Sequence, residues 1–331
     1  MPGLHLLLGF VPVTLFLAAL VFLDSFKLVR RGEVATSLLA GVLAAGISWA
    51  ANVAMVDALH IPPDAVRKAL APLLEEAAKA MLVAWLIRTG RVGFLVDAAI
   101  HGFAIGAGFA LVENFYYAHA LQSTDPGLWF VRGLGTAIMH GTTTAIFAIL
   151  SKGLTGRREA PSAFWFVPGF AVAVAIHAGF NLVVLPPMVA TGLLLAIMPL
   201  LLGVVFERSD RATRLWLGVG MDRDVEALEQ ILSGEVVETR VGRYLSELRE
   251  RLPGAVVADM LCYLRVRLEL SLRAKGLLMA RAVGLDLPLD ASVQENLAEL
   301  KFLGRSIGSV GMLALQPLIN DQDRWERALL R

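Results

Sequence analysis

Several runs of this sequence are apolar except for a few side chains able to do acid–base chemistry. Glu75, Glu76 and Lys79 interrupt APLLEEAAKAMLVAW, residues 71–85. Glu113 and Asn114 interrupt FALVENFYY, His140 stands in a third run, and His177 and Asn181 share HAGFN. Three carboxylates face one formal cation, Lys79, whose i,i+4 partner in an ideal helix is Glu75. Glu76 and Glu113 are then left without a fixed cation. They can be protonated, they can hydrogen-bond His140 and His177 as imidazolium, or they can bind a divalent metal with those histidines. Two histidines and a glutamate are a zinc-type donor set, so Glu76, Glu113, His140 and His177 are the candidate ligands, with zinc or another divalent ion as the candidate cofactor. Each route leads to an activated water, through a carboxylate base or through a metal that acidifies the water. Asn181, one turn beyond His177, could donate to a developing oxyanion.

These groups matter because of where they lie. Of 331 residues 56% are hydrophobic and 18% charged, below the roughly 25% charged usual for soluble domains. A membrane span needs about 20 apolar residues, and seven runs approach that length: 4–23, 34–56, 67–87, 94–120, 132–151, 162–184 and 188–206. The expected fold is all-α, a polytopic bundle of about seven transmembrane helices. The start is apolar with no preceding Lys or Arg, so it reads as a retained helix and not a cleaved signal.

Lys27, Arg30 and Arg31, then Arg88 and Arg91, then Lys152, Arg157 and Arg158, then Arg208, Arg211 and Arg214 follow alternate helices. The other loops carry Arg67, Lys68 and Arg132 at helix edges. The positive-inside rule then places the N-terminus outside and the C-terminus in the cytoplasm. With about 1.5 Å rise per residue, Glu75, Glu76, Glu113, His140 and His177 all fall roughly 12–15 Å below the outer face. One layer on four helices is a site-like distribution. Asp97 and His101 lie nearer the cytoplasmic side, and Asp97 reads as a cap. Gly102 and Gly106 form a GxxxG pair suited to close helix packing.

The motifs EEAAK at 75–79, FALVE at 109–113 followed by Asn114, His140, and HAGFN at 177–181 together resemble the PrsW family of bacterial intramembrane proteases, relatives of the CAAX-protease and bacteriocin-processing enzymes. The resemblance covers roughly residues 65–185. It matches Glu75 and Glu76 to the paired acids, Phe109 and Glu113 to the second motif, His140 to the third, and His177 with Asn181 to the fourth. Glu113 stands where CAAX proteases have His, as in the PrsW branch, and Thr144 is a weak partner four residues after His140. The resemblance implies an endopeptidase of a bacterial cytoplasmic membrane that cleaves membrane-anchored proteins, such as anti-sigma factors. Glu75, Glu76, Glu113, His140, His177 and Asn181 would be catalytic, with Lys79 and Asn114 in support. An ion or proton transporter uses similar buried groups, but they would form a path across the membrane and not a layer. An inactive scaffold is the third reading.

Residues 1–206 hold 12 Lys+Arg and 10 Asp+Glu, and residues 207–331 hold 18 and 19. The second segment therefore reads as a separate helical cytoplasmic domain, regulatory by default, binding a regulatory protein or a second copy. Neither segment is basic enough for nucleic acid. The lone Cys262 permits no internal disulfide. In the tail, 224–232 reads as a short helix stopped by Gly234, Pro253 as the start of a long helix with Val257, Leu261, Leu264, Leu268 and Leu272 on one face, and Ser292 with Glu295 as a capping box. The next helix would carry Leu297, Leu300, Leu303, Ile307 and Val310 on one side, with Gly304 and Gly308 allowing close packing.

Overall fold

A computed structural model of the chain describes residues 2–62, 66, 70–120, 125–156, 162–285, 287–288 and 291–319. Arg67, Lys68, Arg157, Arg158 and loop residues 122–124 fall outside these. Among the described residues the regular structure is all helical, joined by short turns. They divide into two compact units, Met1–Ser209 and Asp210–Arg331.

The first unit contains α1 (Pro2–Leu23), α2 (Arg31–Leu59), α3 (Ala71–Arg88) and α4 (Leu95–Ala120). Next, α5 starts at Pro126–Trp129, widens into a π-helical turn over Phe130–Thr136 and continues as Ala137–Thr155. A 3-10 turn, Ala163–Phe166, leads into α6 (Val167–Asn181), and α7 runs Pro187–Ser233. Among the described residues, five segments are long and apolar enough to cross a membrane: Arg31–Asp57, Leu95–Ala120, Pro126–Thr155, Ala163–Asn181 and Pro187–Ser233. Leu7–Leu23 is a shorter apolar helix. The architecture is an all-α membrane helix bundle.

Helix α4 is its axis. It is buried along most of its length, from Val96 to Ala110, as a helix enclosed by neighbours must be. Glycines set its spacing. A Cβ on Gly106 would collide with the backbone of His140, and one on Gly102 with the backbone of Thr144 and the side chain of Ala148. The GxxxG pair thus brings α5 against α4, as small-residue interfaces do in membranes. On the other side, Gly108 meets the backbone of Leu38, and Gly41 that of Ile105, locking α2 to α4. Asp97 Oδ2 accepts the Gly93 and Phe94 amides at 3.0 and 3.1 Å and caps the start of α4. His101 Nδ1 pairs with the Ser37 hydroxyl at 2.7 Å.

The second unit contains α8 (Arg240–Leu248), α9 (Gly254–Ala282) and α10 (Ala291–Leu315). The 224–232 stretch is not a short helix. It is the end of α7, which does stop at Gly234, a residue in the left-handed region. Pro253 sits at the N-cap of α9, one residue before its expected place. The buried stripe of α9 is centred on Val257, Met260, Leu264, Ala274 and Leu278, with Leu261, Leu268 and Leu272 half-buried at its margin. Ser292 lies inside the first turn of α10 and not at its cap. Among the described residues Gly308 makes no close contact; it kinks α10 at φ 71°. The kink rotates the apolar face, so Leu303 and Ile307 are buried but Val310 is exposed. Gly311, against Met260, supplies the close packing.

Candidate active site

The site is built where α3, α4, α5 and α6 meet. On α3 the inward stripe is Pro72, Glu76, Lys79, Val83 and Leu86, spaced three and four residues apart as one helical face requires. Glu76 and Lys79 are therefore fully enclosed, while Glu75, one residue out of phase, sits at the stripe's margin. This phase overturns the expected pairing. Lys79 Nζ bonds Glu76 Oε1 at 2.5 Å, an i,i+3 pair, in place of Glu75.

A continuous polar network runs from there. Glu76 Oε1 also accepts from the Thr143 hydroxyl at 3.1 Å and from His177 Nδ1 at 2.8 Å. Lys79 Nζ donates to His140 Nδ1 at 3.0 Å. With that nitrogen accepting, the neutral His140 ring carries its proton on Nε2, which lies 2.7 Å from Glu113 Oε2. The other oxygen of Glu113 accepts from Arg132 at 2.9 Å. His177 Nε2 faces Glu75 Oε2 at 3.7 Å. The two imidazoles stand edge to face with centroids 4.8 Å apart. Phe109 backs the cluster, its ring 4.9 Å from that of His140 and 4.8 Å from Lys79 Nζ. Buried charges persist where they are paired and hydrogen-bonded, and Glu76, Lys79, Glu113 and Arg132 each have such a partner; Glu75, at the edge of the cluster, makes only the longer approach to His177.

The five residues assigned to one membrane layer are thus in mutual contact across four helices. Asn181 closes α6 one turn after His177 and is half-buried, with no hydrogen bond to the cluster among the described residues. Asn114 is not part of the cluster. Its amide bonds Gly9 O at 2.7 Å and approaches Gly133 O at 3.5 Å, tying α4 to α1 and to the π-helical turn. Two contributors carry no signal of their own in the sequence. Thr143 looks like a packing residue. Arg132 reads as a helix-edge charge, but the π-helical turn delivers its guanidinium to Glu113 and over the Tyr117 ring, 3.2 Å from its centroid. The cluster therefore has two cations, Lys79 and Arg132.

The donor set also differs from expectation. Among the described residues, the group able to hold a metal is Glu75, His140 and His177, whose ligand atoms lie within 4.8 Å of one another. Glu76 Oε1 is committed to three donors behind His177, and Glu113 is held by Arg132 and His140. Metal-ligating histidines commonly donate their other ring N–H to a carboxylate, and His177 does so to Glu76, leaving Nε2 turned toward Glu75. At His140 the fit requires Nε2 to release the proton it gives to Glu113; metal binding is ordinarily coupled to proton release.

A cleft of about 720 Å³ opens beside the cluster, between α2, α3 and α4. Glu75 and Glu113 line it together with Trp49, Phe109 and Tyr116. Glu76, His140 and His177 lie behind them at 1–2% exposure. The site thus has one open wall of two carboxylates and a buried wall that orients them.

A family model described as PrsW family intramembrane metalloprotease matches residues 28–206, more than half of the chain, and spans every residue of this cluster. No curated protein and no solved structure matches.

Proposed function

The chain belongs to the PrsW family of intramembrane metalloproteases, and from that premise we propose that it hydrolyses a peptide bond at the Glu75 edge of the cleft. It is a membrane-embedded peptidase acting on a membrane protein within the bilayer; the roles of individual residues are our reading. The observation that supports it is the split between Glu75, which opens on the cleft, and Glu76, which is locked behind it.

In this reading Glu75 accepts a proton from water in the cleft, and the water oxygen attacks the scissile carbonyl carbon. The C–N bond then breaks, and the proton leaves with the new amine. Glu76 holds His177 by Nδ1 and so fixes the direction of Nε2. Lys79 neutralises Glu76 and orients His140. Arg132 and His140 hold Glu113 at the cleft wall. His140, His177 and one carboxylate oxygen of Glu75 would hold a divalent ion, zinc by donor type, leaving the other Glu75 oxygen to accept the proton; when bound, the ion would polarise the scissile carbonyl and acidify water. Asn181 is a candidate oxyanion donor.

The substrate class we favour is a single-span membrane-anchored protein, such as an anti-sigma factor, cut near the outer face of a bacterial cytoplasmic membrane. That placement follows from the positive-inside orientation, with residues 1–206 as the protease domain and residues 207–331 a cytoplasmic helical domain for regulation or self-association. The test is Glu75→Gln in reconstituted protein. Its amide cannot accept the proton, so cleavage should fall by orders of magnitude with the fold intact. Full activity of that variant would remove Glu75 from the chemistry.

A further inference from the structure

The network accounts for the inner wall of the cleft but not for the outer wall on α2. Ser48 and Asn52 lie there, one helical turn apart. Ser48 is only 2% exposed, yet among the described residues its hydroxyl has no hydrogen-bond partner, and neither has the buried Oδ1 of Asn52. Buried polar atoms are nearly always paired. Two orphans on one face, both lining the cleft that contains Glu75 and Glu113, point to a ligand that pairs them.

We propose that Ser48 and Asn52 are positioning residues that hydrogen-bond the backbone of an unwound, extended segment of the substrate and present it to Glu75. The proposal rests on the peptidase reading and specifies how its substrate is held. Spacing supports an extended chain. Residues four apart on a helix are separated by about 6 Å along its axis, and backbone groups pointing the same way in an extended chain recur about every 6.6–6.8 Å. One peptide can therefore meet both side chains with two alternate residues. Asn52 Oδ1 accepts an N–H, and Ser48 can donate or accept. A substrate helix cannot do this, because its own turns consume its backbone groups. A lipid tail cannot either, since it has no donor. Trp49 and Phe115, 64% and 56% exposed, flank the cleft and offer apolar surface to the intervening side chains. Backbone pairing with side-chain pockets is how extended peptides are generally recognised.

The test uses the full chain in phosphatidylcholine vesicles. The probe is a synthetic single-span peptide, a Leu/Ala helix followed by a Gly/Ser/Ala segment, made also with backbone esters replacing alternate amides of that segment. Binding is read on Glu75→Gln protein, and KM and kcat on protein with Glu75 intact. Ser48→Ala and Asn52→Leu should each weaken binding and raise KM roughly two- to tenfold, the worth of one net hydrogen bond. Because the interaction is made equally in ground and transition states, kcat should stay within about twofold. The ester probe should bind more weakly to unsubstituted α2 and lose nothing further on Asn52→Leu. Ser37→Ala, which removes a buried α2 hydroxyl away from the cleft, should leave binding unchanged. If neither variant nor the ester alters binding, or if the amide probe does not bind at all, the cleft holds lipid and the proposal is wrong. Binding that depends on Ser48 and Asn52 but is never followed by cleavage would instead overturn the peptidase reading and leave this site standing.

Discussion

His177 gives its Nδ1–H to Glu76 Oε1 at 2.8 Å and thereby turns Nε2 toward Glu75. Two adjacent glutamates on one helix are thus separated by a histidine ring. One is a buried anchor, and the other faces the cleft. Their substitutions should separate accordingly. Removing Glu76 strands Lys79, which is 0% exposed, and breaking a buried ion pair costs about 3–5 kcal/mol. Glu76→Ala should therefore lower thermal stability in detergent as well as activity, and Lys79→Met on the same chain should restore part of the stability. Glu75→Gln should abolish cleavage at unchanged melting temperature. Equal melting temperatures for Glu75→Gln and Glu76→Ala would show that the two carboxylates are not divided in this way.

A divalent ion is the subject of the second prediction. Elemental analysis of purified protein should find about one equivalent of bound metal, since Glu75, His140 and His177 bring three donor atoms together, the number of protein ligands usual in catalytic zinc sites. His140→Ala and His177→Ala should each lose most of it, and chelation should abolish cleavage reversibly. Adding metal to chelated protein should release protons, because the Nε2 proton of His140 must leave. Metal-free protein with full activity would leave the glutamate–histidine chemistry to operate alone.

Much of this site is legible in the sequence alone, because a charge inside an apolar run is an anomaly that sequence displays openly. Glu75, Glu76, Glu113, His140 and His177 stand out for that reason. Their pairing does not. Whether Lys79 meets Glu75 or Glu76 depends on the rotation of α3, which is set by its packing against α5 and α6, and an ideal-helix rule selects the wrong neighbour. Arg132 reaches Glu113 only because the chain widens into a π-helical turn, a feature with no simple compositional mark. Thr143, Ser48 and Asn52 are uncharged, so nothing distinguishes them from packing residues until their partners, or the lack of them, are seen. In the second unit the backbone break at Gly308 is similarly hidden, and the apolar periodicity continues through it to Val310.

Arg132 supports a third prediction. It neutralises Glu113 from a half-exposed position over Tyr117, so its loss should loosen the cleft wall without removing the reacting group. Arg132→Gln should lower kcat by roughly tenfold, about the worth of one charge-assisted hydrogen bond, well short of the effect of Glu75→Gln. Steady-state kinetics on the two variants side by side would check the order.

The α4–α5 contact supplies a fourth. Gly106 packs on the His140 backbone, whereas a methyl group added at the exposed Gly153 near the end of α5 would meet no described atom within 4 Å. Gly106→Ala should separate the helices that carry Glu113 and His140 and cost about 1–3 kcal/mol, as overpacking typically does. Gly153→Ala should be nearly silent. Melting curves and cleavage rates should fall together for the first variant only.

The last prediction concerns where a substrate is cut. Read by the positive-inside rule, the basic residues after alternate helices predict that the open end of the cleft faces outward, with the carboxylates roughly 12–15 Å below the outer face. Water and an extended chain reach that depth more readily from outside than through the buried interior of α4. A substrate helix must unwind before its carbonyl can be attacked, because its amides are engaged in its own hydrogen bonds. Unwinding is least costly near a helix end. The cut should therefore fall at the outer end of a single-span substrate or in the few residues beyond it, and helix-breaking residues there should speed it. A reporter fused after Arg331 should be cytoplasmic, and a tag in the 122–129 loop should be external. Sequencing the new N-terminus of a cleaved substrate decides the matter: a cut at the cytoplasmic interface would contradict the orientation even if Glu75 proved essential.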